Sequence, residues 1–209
     1  MAIITRTGKG SALTVAEQDN NYSELDARTA EGWQVMSGSV STDGIANAPP
    51  IRLYKGVIGV MAFSAGVLQE CTVIFHLPKD YVNGSDIYPH GHVIPSTVST
   101  GDVYWGFEFT WANDYDSSDI LLGAPTSDQI FGTPNTAYVT QTIAASHQDA
   151  NCTIEASGPL SIPTIKKHAV LIMRIFRDAT NVLDTYPDEI YLASVGVYYR
   201  SQGFGEAVR

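Results

Sequence analysis

A mainly β chain, an antiparallel sandwich of the jelly-roll kind behind a short N-terminal helix, is what three features of this sequence predict. The first is Gly101 to Trp111, GDVYWGFEFTW, where Val103, Trp105, Phe107, Phe109 and Trp111 fall on one face at period two. Such a strand presents four aromatic rings, each burying about 150–250 Å², so it needs a thick partner layer, either a facing sheet or a neighbouring subunit. The second is a set of further runs of strand length rich in β-branched and aromatic residues, which rules out a helical reading. The third is composition. Only 16% of the 209 residues are charged, and Gly, Ser, Thr, Tyr and Asn supply turns between short strands. No internal repeat of about 20–50 residues is visible, which sets solenoids and propellers aside.

In chain order, residues 1 to about 12 read as an extended arm. A helix follows from Thr14, because Thr14-Val15-Ala16-Glu17 fits a capping box. Its stripe of Val15, Gln18, Tyr22, Leu25 and Thr29 is thin in apolar residues and barely four turns long. Alone it would be marginal, so it is expected to pack on copies of itself or on another protein, the plainer alternative being a helix that lies on its own domain. Ser37 to Pro50, SGSVSTDGIANAPP, reads as a linker. The expected division is therefore 1–36 arm and helix, 37–50 linker, and 51–209 β-sandwich knob.

Within the knob, strands are expected at Lys55 to Ala62, Leu68 to Leu77, His90 to Pro95, the aromatic run, Ala137 to Ala145, Cys152 to Ser157, His168 to Arg177 and Glu189 to Arg200. On the last, Tyr191, Val195, Val197 and Tyr199 are expected to share a face. The passage ANDYDSSDILLGAPTSDQIFGTPN reads as loops.

Charge and motif content narrow the function. A net charge of −10 argues against a nucleic-acid partner, which needs a basic footprint. The N-terminus has no signal-like apolar run and no stretch approaches the ~20 apolar residues of a membrane span, so synthesis in the cytosol without membrane insertion is expected. Cys71 and Cys152 form neither a CxxC pair nor a zinc knuckle and read as buried free thiols. The motifs of P-loop, dinucleotide-binding, GxSxG and HExxH enzymes are missing. Asp114 with Asp116, and Asp188 with Glu189, read as solvated turn residues, or else as part of a glycosidase or cation site. Tyr81, Tyr115 and Tyr138 read as exposed aromatics that could contact sugar, or else as ordinary scattered surface tyrosines.

One tight cluster stands out, His90-Gly91-His92 in IYPHGHVIP. Positions i and i+2 of a strand face the same way, so His90 and His92 could hold one metal ion, or contribute to an axial site in a symmetric trimer. The alternative is a pair of histidines hydrogen-bonded within a core or interface. No other cofactor is indicated.

Two stretches resemble known modules. Residues 8–25, GKGSALTVAEQDNNYSEL, are similar to a short module near the ends of tailed-bacteriophage fibre proteins. Residues of about 76–200, with DIYPHGH, VYWGFEF and the RDATNVLDTY turn before a last strand ending in YY, resemble the TNF-like jelly-roll knobs of phage fibres and related virion appendages. Gly91 and Val93 depart from that pattern, in which bulkier residues are usual. The resemblance implies a non-enzymatic, homotrimeric virion protein, a tail fibre, head fibre or decoration knob. It would join other phage virion proteins through residues 1–36 and contact a host-surface glycan or protein. The other expectation, from a different class, is a carbohydrate-active enzyme or lectin-like glycan-binding module on the same β-sandwich.

Overall fold

The computed structural model describes residues 12–14, 16–19, 21, 32–114, 130–156, 158–160 and 164–202. Its eleven strands are β1 (Gly32–Ser37), β2 (Ser39–Ser41), β3 (Ile51–Tyr54), β4 (Ile58–Phe63), β5 (Leu68–His76), β6 (Ile87–Pro95), β7 (Gly101–Ala112), β8 (Asn135–Ile143), β9 (Cys152–Glu155), β10 (Val170–Asp178) and β11 (Ile190–Ser201). They form two antiparallel sheets. Sheet A runs β3-β4-β11-β6-β9, with β1 also paired to β11, and sheet B runs β2-β5-β10-β7-β8. The result is a jelly-roll-like sandwich in which the chain passes repeatedly from one layer to the other.

The aromatic row of β7 is covered from within the chain. Val103, Trp105, Phe107 and Phe109 are buried, and Trp111 packs partly against the same cluster. Trp105 meets Phe63 of the facing sheet edge to face at 5.0 Å between ring centroids, an arrangement that suits the ring quadrupoles. Sheet A returns Ile87, Val93, Ile154, Val195 and Val197, all buried. Gly91 points into this core, where a side chain would press on Ile154 and approach Ile175 of the opposite sheet. The missing bulk at this position is therefore filled by two isoleucines. Cys71 and Cys152 are free and buried, and burial, helped by the charge of Glu70, pushes the Cys71 thiol up to about 12, which keeps it protonated and inert.

Two expectations change. Ser37 to Pro50 is not a plain linker, and the sandwich begins before residue 51. β1 pairs with β11 from Gly32↔Ser201 to Ser37↔Gly196, and β2 pairs with β5 from Ser39↔Ile74 to Ser41↔Thr72. Gly38 lies where the chain crosses between sheets, and a Cβ there would stand 2.3 Å from Val73 and 2.6 Å from Phe75. Glycine is required by close approach. The second change is on β11. A bulge between Leu192 and Ser194 shifts the inward face from Ile190 and Leu192 to Val195, Val197 and Tyr199. Tyr191 consequently stays on the outer side and packs on Tyr54 at 5.9 Å. One extra residue inverts the alternation beyond it.

Of the N-terminal helix, residues 16–19 and 21 are described and helical. The capping box closes as the sequence predicts: the Thr14 amide donates to the Glu17 carboxylate at 2.7 Å, and the Glu17 amide donates to the Thr14 hydroxyl at 3.3 Å. Val15, Tyr22, Leu25 and Thr29 of the proposed stripe, and Tyr115 and Asp116, lie outside the described residues.

The β10–β11 connection is locked by a buried ion pair. Arg177 is fully buried, and its Nε and Nη2 donate to the two oxygens of Asp184 at 2.9 and 2.7 Å. Its remaining donors reach the carbonyls of Phe63 at 3.1 Å, Asp188 at 2.8 Å and Tyr186 at 2.7 Å. All five guanidinium N–H groups are thereby used, which is what permits a charge in the core. Asp184 also accepts from the Tyr104 amide at 3.0 Å, and the amides of Thr185 and Tyr186 donate to the Asp102 carbonyl at 2.7 and 2.9 Å. Arg177 and the Asp184-Thr185-Tyr186 residues of the sequence turn thus bind the loop across the start of β7.

Candidate functional site

His90 and His92 stand on the outer face of sheet A, among aromatic residues of neighbouring strands. Alternation along β6 turns Ile87, Pro89, Gly91 and Val93 inward and Tyr88, His90, His92 and Ile94 outward. Register then assembles the face. Tyr198 lies beside Tyr88, Gly196 beside His90 and Ser194 beside His92 across the β11–β6 pair, while β9 places Glu155 beside His90 and Thr153 beside His92. On the other side β1 sets Trp33 beside Arg200 and Val35 beside Tyr198.

The rings touch one another. Trp33 meets Tyr88 edge to face at 5.3 Å, and the Arg200 guanidinium sits 5.3 Å from the Trp33 ring, a cation–π pair. Tyr198 lies over His90 with centroids 4.3 Å apart, and His90 meets His92 at 5.4 Å and 77°. Gly196 makes this close stack possible, since a Cβ there would fall 2.8 Å from the His90 ring. His90 is therefore only 2% exposed although it belongs to an outer face. His92 is half-buried, with its Nδ1 3.3 Å from Asn151 Nδ2 and 3.4 Å from Thr153 Oγ1.

As a metal site the pair is incomplete. Among the described residues no group of three His, Cys, Asp or Glu side chains is placed to hold an ion, and two imidazoles are too few for a closed zinc site. What the face offers is a platform of indole, phenol and imidazole rings with hydroxyl, amide and charged groups at its margins. Flat apolar surface beside fixed polar groups suits a ligand with both C–H faces and hydroxyls.

The other sequence candidates separate. Tyr81 is buried, its hydroxyl donating to the Ser85 carbonyl, so it is a core residue. Tyr138 is 47% exposed on the outer face of sheet B. Asp188 accepts from the Thr97 hydroxyl at 2.6 Å, and Glu189 pairs with Arg52 at 3.2 Å. These two carboxylates are engaged in holding loops. Trp33 and Tyr198 were missed as site residues because nothing local distinguishes them; their joint position follows from β1–β11 pairing.

No protein-family model matches the chain, and no curated protein matches it in sequence. Among solved structures it is similar to a Clostridium thermocellum xylanase 10B fragment carrying CBM22-1 and GH10 modules with xylohexaose, at 12% identity over 84% of this chain and TM-score 0.36. It spans 27% of that protein's length. It is also similar to the family 11 carbohydrate-binding module from Clostridium thermocellum with a mixed-linked tetrasaccharide, at 11% identity, 86% and 91% coverage and TM-score 0.34. A third is Caldicellulosiruptor saccharolyticus CBM27-1 with mannohexaose, at 12% identity, 79% and 96% coverage and TM-score 0.36.

Proposed function

We propose that this chain is a non-enzymatic glycan-recognition module, with the outer face of sheet A as its contact surface. The observation that carries the reading is the gathering of Trp33, Tyr88 and Tyr198 from three strands, with His90, His92 and Arg200, on the solvent side of one sheet. An outer sheet face is ordinarily polar, and aromatic rings there present C–H-stacking surface while their polar tips remain available to hydroxyls. Titration calorimetry against cellohexaose, mannohexaose and xylohexaose tests it. Binding that falls about tenfold or more in Tyr88→Ala, the size expected for loss of one stacking ring, supports the assignment; wild-type protein that binds none of the glycans overturns it.

A second reading is a trimeric virion appendage anchored through the residues that precede β1, since Gly32–Ser37 is paired into sheet A. Besides the sequence resemblance, it is favoured by the β3–β4 hairpin, where Ile51, Leu53, Val57 and Ile58 are each at least 60% exposed. Apolar side chains concentrated on a sheet edge mark a contact surface. Light scattering at micromolar concentration is expected to give three times the 22.6 kDa chain mass under this reading, and a monomer removes it. The two readings are compatible, since an appendage knob can recognise a host-surface glycan.

A further inference from the structure

We infer that the outer face of sheet B carries a second glycan site, centred on Tyr138 and selective for neutral over anionic sugars. The inference extends the glycan reading to a different surface of the molecule. Its floor is a ladder of rings drawn from three strands. Tyr138 of β8 stacks on Tyr104 of β7, with centroids 5.4 Å apart and planes within 7°. Phe176 of β10 meets Tyr138 edge to face at 6.0 Å, and the Arg174 guanidinium lies over Phe176 at 4.5 Å.

The ladder is held in place before any ligand arrives. Phe176 lies directly over Gly106, where a Cβ would come within 2.1 Å of the ring, so glycine in the middle of β7 creates the slot that fixes the phenyl group. Arg174 is clamped between Glu70 at 2.6 Å and Glu108 at 2.7 Å. Rings immobilised in advance lose little entropy on binding. Tyr138, at 47% exposed, is the ring that a ligand can reach.

Polar groups of the right kind border it. Thr136, Thr140 and Thr142 alternate with inward residues along the β8 edge and are exposed, and Thr142 donates to Asp102 at 2.7 Å. Charge sets the ligand class. Among the described residues, the outer-facing acidic side chains around the ladder are Glu70, Glu108, Asp102 and Asp178, against Arg174 as the one basic group. Carboxylates accept from sugar hydroxyls and repel uronate, sialate or sulfate groups at this range. Sandwich sheets pack about 10 Å apart, and the two outer faces point in opposite directions. A short oligosaccharide cannot span them, whereas two polysaccharide chains could be bridged by one molecule.

Calorimetry on the full chain with cellohexaose, mannohexaose, xylohexaose and trigalacturonic acid, followed by turbidity with soluble glucomannan and arabinoxylan, tests this. The expected result is two hexaose sites per chain, one in Tyr138→Ala, and full retention in Tyr138→Phe, which keeps the stacked ring. Trigalacturonic acid is expected to bind at least tenfold more weakly at the Tyr138 site. Tyr198→Ala should spare this site and weaken only the sheet A face. Binding that Tyr138→Ala leaves unchanged overturns the inference while sparing the sheet A reading. Loss in Tyr138→Ala alone sustains the inference and overturns that reading; wild-type protein that binds no hexaose overturns both. Preference for the galacturonate overturns the neutral class. Should Tyr138→Ala unfold, Thr140→Glu on the exposed edge replaces it, with loss of one site expected and unchanged stoichiometry counting against the inference.

Discussion

Arg177 and Asp184 show how a single pair can decide whether a loop belongs to a fold. Both side chains are essentially excluded from water, so removing one leaves the other charged in the core. Asp184→Ala is expected to lower unfolding free energy by about 3–5 kcal/mol in urea titration, and a paired Arg177→Met, Asp184→Leu replacement to cost markedly less. A mild effect from the single change would mean that water reaches Arg177. Asp188, nearby, gives a pH signature. Hydrogen bonds from Ser99 and Thr97, together with the Arg177 charge, hold its carboxyl below the ordinary value of 3.8. Its folded-state pKa is thus depressed, so its stabilisation is complete above that ordinary value and disappears as pH falls through the folded one. Melting temperature measured from pH 6 down to pH 2 should fall less steeply for Asp188→Asn than for the parent. Parallel curves would count against the assignment.

Among the elements, β1 and β2 separate pattern from placement. Gly32–Ser37 alternates Trp33, Val35 and Ser37 with Gln34 and Met36, a pattern the sequence does carry, but six residues beside a polar helix do not announce which strand they join. Met36 packs against the core, and the Gly38 amide donates to the Val195 carbonyl at 3.1 Å. Gly38→Val is expected to destabilise by about 1–3 kcal/mol, the range for an overpacked core, because Val73 and Phe75 would have to retreat. Denaturant midpoints check this, and an unchanged midpoint would place the crossing elsewhere. The bulge on β11 teaches the same lesson: period two was legible along the whole strand, but the extra residue that inverts it at Leu192 is set by pairing with β6.

For the whole molecule, truncation distinguishes an appended arm from a structural strand. Deleting residues 1–31 leaves the eleven described strands, and the product is expected to melt close to the parent temperature. Deleting 1–36 removes most of β1, strips one edge of β11 and takes Trp33 from the aromatic face, so a clearly lower melting temperature is expected by calorimetry. Equal melting of the two products would restore the boundary expected at residue 37. What the sequence determined by itself was the β class, most of the strands from β4 onward and the inward row of β7, because alternation of side chains is a local property read from spacing. It also placed His90 and His92 on one face. Which strands lie side by side, that Gly196 and Gly106 open slots for His90 and Phe176, and that Trp33 and Tyr198 share a surface were decided only by the tertiary structure. Those relations join residues far apart in the chain, and period two fixes the face of a residue without naming its neighbour.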